Sequence, residues 1–305
     1  MGDLFIIYFF LFLGFYLRRI GWISNKAIYF FNNLIIYFFL PLIILLHIPK
    51  IQFSLDFIWL SVSPFLIYLG SFIYFKLLKK KEDWSKNMTS VLIMTCGISS
   101  VSFVGFPLFK MLYGDEGLAL GIVLSVLGTL LVFNTLGLMT AVYGSKTETK
   151  LTLWMVVKKL LLFPTFLAFL FAISLNLSQY QLPLALQNII SFLVLPYTAF
   201  AFITIGAQIV LKFDFKNLRP ILLGLFFKLF VAPLIIFLIL WVGMGKHDLI
   251  AKICILGSAI GSMNAISILA AKLNIEPEVA MMMATISIPL SIPTVIFIHY
   301  LLNLI

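Results

Sequence analysis

One charged residue lies in the middle of a long apolar segment of this sequence. Lys228 stands between Phe227 and Leu229, inside an apolar segment that extends over residues 219–243. A charge in lipid is costly and usually functional. The cytoplasmic end of the segment is about ten residues, or about 15 Å, away, which exceeds the comfortable reach of a lysine. We therefore expect Lys228 to balance an anionic substrate or to bind carbonyl groups freed at a helix break.

Two other apolar segments contain runs of small and hydroxyl residues. Residues 88–112 and 249–272 hold these runs, and Pro107 at the end of the first removes a backbone donor in mid-helix. Such runs occur where small residues pack between membrane helices, and also where matching helices of a transporter are interrupted around a substrate. Because both halves of the chain carry one, we predict broken helices whose candidate site residues are Ser99, Ser100, Gly105, Pro107, Gly261, Ser262 and Asn264.

Three amides complete the candidate substrate-binding set. Asn33, Asn134 and Asn188 lie inside apolar segments, where an amide either forms a hydrogen bond between helices or binds a ligand. The sequence leaves both roles open.

Residues for enzymatic or metal chemistry are missing from these segments. All eleven acids fall in loops or at segment ends, and Cys96 and Cys254 have no metal-ligand spacing. Neither an Asp cluster for Mg²⁺ nor a His-Glu-x-x-His motif occurs. We therefore expect no enzyme, no metal site and no cofactor. Without an intramembrane carboxylate we favour uncoupled or potential-driven movement, and coupling to Na⁺ or H⁺ stays open.

The composition places these segments in lipid. Of 305 residues, 63% are apolar and 10% are charged, against about a quarter charged in soluble domains. This excludes a soluble enzyme. The net charge of +10 does not indicate a nucleic-acid partner, because the charges are confined to short gaps between apolar segments.

The apolar segments predict an all-α integral membrane protein with ten transmembrane helices. The run at 3–19 is expected to be retained, since Asp3 precedes it and Arg18 and Arg19 follow it, the reverse of a secretory signal. The predicted spans are 3–19, 27–48, 55–78, 88–112, 117–143, 154–176, 184–208, 219–243, 249–272 and 279–303.

Lysine and arginine define the expected orientation. Sixteen of them lie in loops on one face and four on the other, and the richer face is cytoplasmic. We therefore expect a multi-pass protein of the cell membrane with both termini on the non-cytoplasmic side.

The two halves share a pattern. Asn33 and Leu40-Pro41 recur as Asn188 and Leu195-Pro196 at a constant offset of 155 residues. Five spans in each half force the second half to enter the membrane in the opposite sense, as in inverted-repeat transporters. We predict a first repeat at 1–144, a cytoplasmic loop at 145–153 and an inverted repeat at 154–305, with broken helices 4 and 9.

Several short motifs resemble the auxin efflux carrier family, within the superfamily of bile acid and auxin-type transporters. They are spread over essentially the whole chain: Leu40-Pro41, Gly105-Phe106-Pro107-Leu108, Tyr113-Gly114-Asp115, Lys228 with Pro233, Ile268-Leu269-Ala270, and 287–294. The resemblance implies two inverted five-helix repeats, a substrate site at crossing helices 4 and 9, and substrates such as malonate, malate or auxin-like acids.

The sequence also departs from the family pattern. Ser100 stands where the family often has Asn, and Gly261 where many members have Pro. The acid and lysine pair of plant auxin carriers has no counterpart at 68–75, which disfavours auxin itself.

We accordingly expect a secondary transporter that moves a small organic anion, a carboxylate, by alternating access. Two alternatives stay open: a sodium-coupled symporter resembling the bile acid symporters, and a membrane sensor with the same fold that does not transport. Formation of a homodimer also stays open.

Overall fold

The computed structural model describes residues 2–145, 154, 158, 160–209 and 217–305, and every regular element in these ranges is helical. The expected all-helical class is confirmed. The helices are α1 Gly2–Arg19, α2 Asn25–Lys50, α3 Leu55–Glu82, α4 Lys86–Gly97, α5 Val101–Gly144, α6 Pro164–Leu177, α7 Leu184–Ala207, α8 Leu218–Gly243, α9 Leu249–Ala259, α10 Asn264–Leu273 and α11 Pro277–Leu302.

Six of these helices are long and apolar enough to cross a membrane: α2, α3, α5, α7, α8 and α11. Large apolar side chains also cover the outside, among them Phe5 and Phe12 on α1, which are 74% and 64% exposed. A surface of this kind favours contact with lipid rather than water. The integral membrane class is thus supported, while the number of ten spans and the inverted repeat stay predictions.

Several helices begin where a side chain caps the first free N–H groups. Ser24 Oγ accepts from the Ala27 N–H at the start of α2, Ser85 Oγ from Met88 at α4, and Asp248 Oδ1 from Ala251 at α9. A cap of this type stabilises a helix start by about 1 kcal/mol.

The helix pattern agrees with the predicted spans at one irregular place and differs from them at another. The stretch 101–144 is broken at Gly114, whose φ of 66° and ψ of −152° lie outside the helical region, and this break falls in the predicted gap between the spans 88–112 and 117–143. Helix α6 begins at Pro164 rather than at 154, because Phe163 has the extended backbone that a following proline favours. Residues 154, 158, 160 and 161 are helical, and the rest of 146–159 lies outside the described residues.

The chain folds into two compact units, each built from three separate stretches of sequence. The first unit comprises Met1–Phe53, Ser102–Ile122 and Leu160–Ile209, and the second unit comprises Ser54–Val101, Val123–Lys159 and Val210–Ile305.

Within the first unit, α1 and the second part of α7 pack backbone against backbone. A Cβ added at Gly14 would lie 2.1 Å from the Ile203 carbonyl oxygen, and one added at Gly206 would lie 2.0 Å from that of Leu11. Glycine is therefore required on both helices, as is common where membrane helices approach closely.

Within the second unit, polar contacts join α3 to its neighbours. Ser71 Oγ donates to the Ile93 carbonyl at 2.9 Å, and Tyr68 Oη donates to the Leu136 carbonyl at 3.0 Å. These bonds fix α4 and α5, which carry the first helix break, against α3.

We expect Gly206→Ala to lower the melting temperature of the detergent-purified protein, by an amount equivalent to about 1–3 kcal/mol, because the methyl group meets a backbone carbonyl that cannot rotate away. Differential scanning fluorimetry measures the shift. Gly70→Ala is the matched control, since its Cβ would meet only side-chain atoms, Ile235 Cδ1 at 3.0 Å and Phe227 Cζ at 3.7 Å. Equal melting temperatures for Gly206→Ala and the unmodified protein would show that the helices can separate without loss.

Candidate functional site

Two helix breaks meet in the second unit. Helix α4 ends at Gly97 before α5 begins at Val101, and α9 ends at Ala259 before α10 begins at Asn264. The chain between each pair of helices is extended, with Ile98 and Ile260 in the β region. Each break therefore frees peptide groups in the interior of the protein.

The freed peptide groups of one break bind those of the other. Ser99 and Ser262 form an antiparallel bridge. The Ser100 N–H donates to the Gly261 carbonyl at 2.9 Å, and the Met263 N–H donates to the Ile98 carbonyl at 3.2 Å. The two interrupted helices thus cross at a short backbone ladder.

Glycine and serine allow this close crossing. A Cβ on Gly261 would lie 2.6 Å from the Ile288 backbone of α11, so a larger residue does not fit there. The Ser262 N–H donates to Ser287 Oγ at 2.8 Å, which ties the second break to α11. Ser287 was not among the predicted site residues. The signal that could have identified it is the hydroxyl in the Ser287-Ile288-Pro289 motif.

The break in the first of these helices does not lie at Pro107, as predicted, but at residues 98–100. Residues 101–105 form a wide helical turn with i→i+5 hydrogen bonds. Such a turn shifts the hydrogen-bond pattern just before Pro107, so the helix continues although the proline has no N–H to donate. Gly105 and Pro107 consequently lie within α5 and are buried there. Small residues at 97–100, rather than the proline, set the break.

Lys228 reaches the crossing point. Its side chain is 0% exposed, and Nζ donates to Ser99 Oγ at 2.7 Å. Ser99 is its one hydrogen-bond partner among the described residues, and no described carboxylate lies within ion-pair distance of it. The lysine does not extend to the membrane surface, and its amino group lies buried at the crossing.

The backbone around Lys228 and one thiol contact set its position. Residues 227–231 form a wide turn inside α8, a feature often found at functional sites. One turn earlier, Cys96 Sγ of α4 donates to the Gly224 carbonyl at 3.4 Å. A Cβ on Gly224 would lie 2.9 Å from Met283 of α11 and 3.2 Å from this sulfur. Glycine therefore lets α8 approach both α11 and α4 near the level of the break.

The remaining predicted residues divide into three groups. Asn264 is the first residue of α10 and directly follows the break. Asn134 Nδ2 donates to the Leu130 carbonyl of its own helix at 2.9 Å, so this amide is already occupied. Asn33 is half-buried and Asn188 is exposed, and both belong to the first unit. The structure brings together Ser99, Ser100, Gly261, Ser262, Asn264 and Lys228.

The chemistry available at this crossing is recognition of charge. Among the described residues, no three His, Cys, Asp or Glu side chains converge on a point where a metal ion could bind. The crossing offers a buried amino group, serine hydroxyls and the N-terminal ends of α5 and α10. Helix N-termini carry partial positive charge, so the donors here suit an anion.

Helices long enough for a bilayer, two interrupted helices that cross, and a buried lysine at the crossing define a helical integral membrane protein with an internal polar site. The family model described as "Membrane transport protein" matches residues 1–299. The chain therefore belongs to this family of membrane transporters, and the resemblance to the auxin efflux carrier family is confirmed. None of the curated proteins compared with the chain matches it.

We expect Ser287→Ala to destabilise the detergent-purified protein by about 1–3 kcal/mol, because the Ser262 N–H then lies buried without an acceptor. Thermal unfolding measures the loss. Ser291→Ala, one turn further along α11, is the matched control: Ser291 is equally buried, but its hydroxyl donates only to the Ile288 carbonyl of its own helix. Equal losses in the two variants would contradict a role for Ser287 in holding the break.

Proposed function

We propose that this protein is a secondary transporter that carries a small organic anion, a carboxylate, across the cell membrane by alternating access. The observation that carries the proposal is Lys228, a fully buried amino group at the crossing of two broken helices with a serine hydroxyl as its described partner. A buried ammonium without a counter-charge is unfavourable, and an anionic substrate would supply the missing charge.

The donors around Lys228 support a carboxylate in particular. Unwound backbone and half-helix N-termini at the centre of a membrane protein bind anionic substrate groups in other carriers. Here α5 and α10 both begin directly after the crossing segments. The site would therefore combine one full positive charge with two partial ones, and dicarboxylates such as malonate or malate suit this arrangement.

We further propose that the transporter has ten spans in two inverted repeats, 1–144 and 154–305. The recurring Leu-Pro pair supports this: a wide turn at Ile35–Phe39 precedes Leu40-Pro41 in α2, and the α-helical backbone of α7 is interrupted at Leu195-Pro196. Each proposed repeat also contains one of the two breaks. The excess of lysine and arginine on one face supports non-cytoplasmic termini.

Lys228→Met is expected to abolish carboxylate binding and uptake, because it removes the charge while keeping the length of the side chain. A thermal-shift screen against acetate, lactate, malonate and malate, with and without Na⁺, selects the ligand, and uptake into proteoliposomes measures transport. Lys272→Met serves as the control, since Lys272 is exposed in the last turn of α10.

The outcomes separate the candidate functions. Full uptake by Lys228→Met would remove Lys228 from the site. Binding without movement across liposomes would indicate a sensor, and a ligand shift seen only with Na⁺ would indicate a sodium-coupled symporter.

A further inference from the structure

We propose that the anion and one proton occupy the crossing together, with the proton held on Lys228 Nζ, so that the protein is an anion–proton symporter. This inference rests on the function proposed above and names its coupling ion. Nζ takes the proton from water on the side where the anion enters and returns it to water on the side where the anion leaves. No other bond changes.

The charge balance at Nζ favours joint binding of the anion and the proton. The amino group is 0% exposed, and Ser99 Oγ, 2.7 Å away, is neutral. The charged form therefore has no described counter-charge, and burying it alone costs free energy. A carboxylate bound beside Nζ removes that cost. Since two ligands that favour each other do so reciprocally, the anion stabilises the proton and the proton stabilises the anion.

The other groups that could hold this proton would have to lie on the helices that pack against Lys228. The segment 227–231 packs against the rest of α8 and against α4, α9 and α11, and Phe227 contacts Tyr74 and Phe75 of α3. Of the titratable groups on these helices, Cys96 lies near Lys228, since its Sγ donates to the Gly224 carbonyl of α8 one turn away. Tyr68, Tyr74 and Cys254 are the other titratable groups in the middle of the helices.

The charged and imidazole groups of the same helices lie within about two turns of a helix end: Asp56, Lys76, Lys79, Lys80, Lys81, Glu82, Lys86, Arg219, Lys252, Glu278 and His299. Glu82 pairs with Arg219 at 2.7 Å. Lys228 is therefore the basic group at the crossing. Cys96 is its titratable neighbour, so a control variant must exclude a contribution of this thiol to the pH dependence.

The hydrogen bond between Lys228 and Ser99 favours H⁺ over Na⁺ as the coupling ion. A sodium ion at the crossing would need several oxygen ligands there. Ser262 Oγ is buried without a hydrogen-bond partner, but Ser99 Oγ already accepts from Lys228. An ammonium at this oxygen repels a second cation in a medium of low dielectric constant. The protonated lysine thus takes the place that a coupling cation would occupy.

The binding test measures how the affinity of the best ligand among acetate, lactate, malonate and malate changes with pH. Titration calorimetry from about pH 7 to about pH 9 keeps both carboxyl groups of the dicarboxylates ionised. On the alkaline side we expect the affinity of the unmodified protein to fall about tenfold per pH unit, with uptake of about one proton per anion. Cys96→Ala should keep this slope.

Any binding of the same ligand by Lys228→Arg should have an affinity that does not change with pH, because a guanidinium stays charged throughout. If Lys228→Arg does not bind because arginine does not fit the buried space, the change of affinity with pH in the unmodified protein alone tests the coupling. Binding without a pH slope overturns the coupling but leaves the proposed function intact. Failure of all four carboxylates to bind overturns both.

The transport test uses proteoliposomes with equal K⁺ on both sides and valinomycin, which holds the membrane potential at zero. With an alkaline interior, we expect an electroneutral proton–monoanion pair to accumulate about tenfold per pH unit, above the level in protein-free vesicles. Vesicles with Lys228→Arg should show no accumulation driven by the pH gradient. Equilibration without accumulation by the unmodified protein would contradict proton coupling.

Discussion

A peptide group that leaves a helix inside a bilayer must find its partner within the protein, because lipid offers none, and each unmatched group costs several kcal/mol. The extended segments at 98–100 and 260–263 meet this constraint by pairing with each other through the Ser99–Ser262 bridge. Neither break is stable without the other. The tight approach at Gly261 and the bond from Ser262 to Ser287 follow from the need to hold this short ladder in place.

The helices themselves could be predicted well from the sequence. The length of an apolar segment must match the thickness of the hydrocarbon region. The predicted span 27–48 accordingly corresponds to α2 at Asn25–Lys50, and the predicted span 55–78 corresponds to α3 at Leu55–Glu82. The break at Gly114, which has a positive φ, also lies in the predicted gap between the spans 88–112 and 117–143. The extended backbone of Phe163 before Pro164 was not predicted, because hydropathy does not depend on a single backbone angle.

The site could be predicted only in part, because the decisive contacts join residues far apart in the chain. Small residues correctly indicated both breaks, and the cost of a buried charge indicated Lys228. Pro107 was a misleading signal, since a wide turn absorbs its missing N–H without breaking the helix. Neither the partnership of Lys228 with Ser99 nor that of Ser262 with Ser287 has a local signature. Both arise from how α8 and α11 pack against the crossing.

The contact between Lys228 and Ser99 also bears on which substrates the proposed site could accept. An ammonium has three N–H donors, and Ser99 uses one of them. A carboxylate has two oxygens that can accept from the other two, so the number of donors does not require an anion to displace Ser99 from Nζ or to open the backbone ladder that Ser99 shares with Ser262. A neutral substrate of the same shape leaves the charge on Nζ uncompensated, and sites of this kind reject such analogues strongly because a buried polar group loses its partner. The same residue that stabilises the crossing would then select the charge of the substrate.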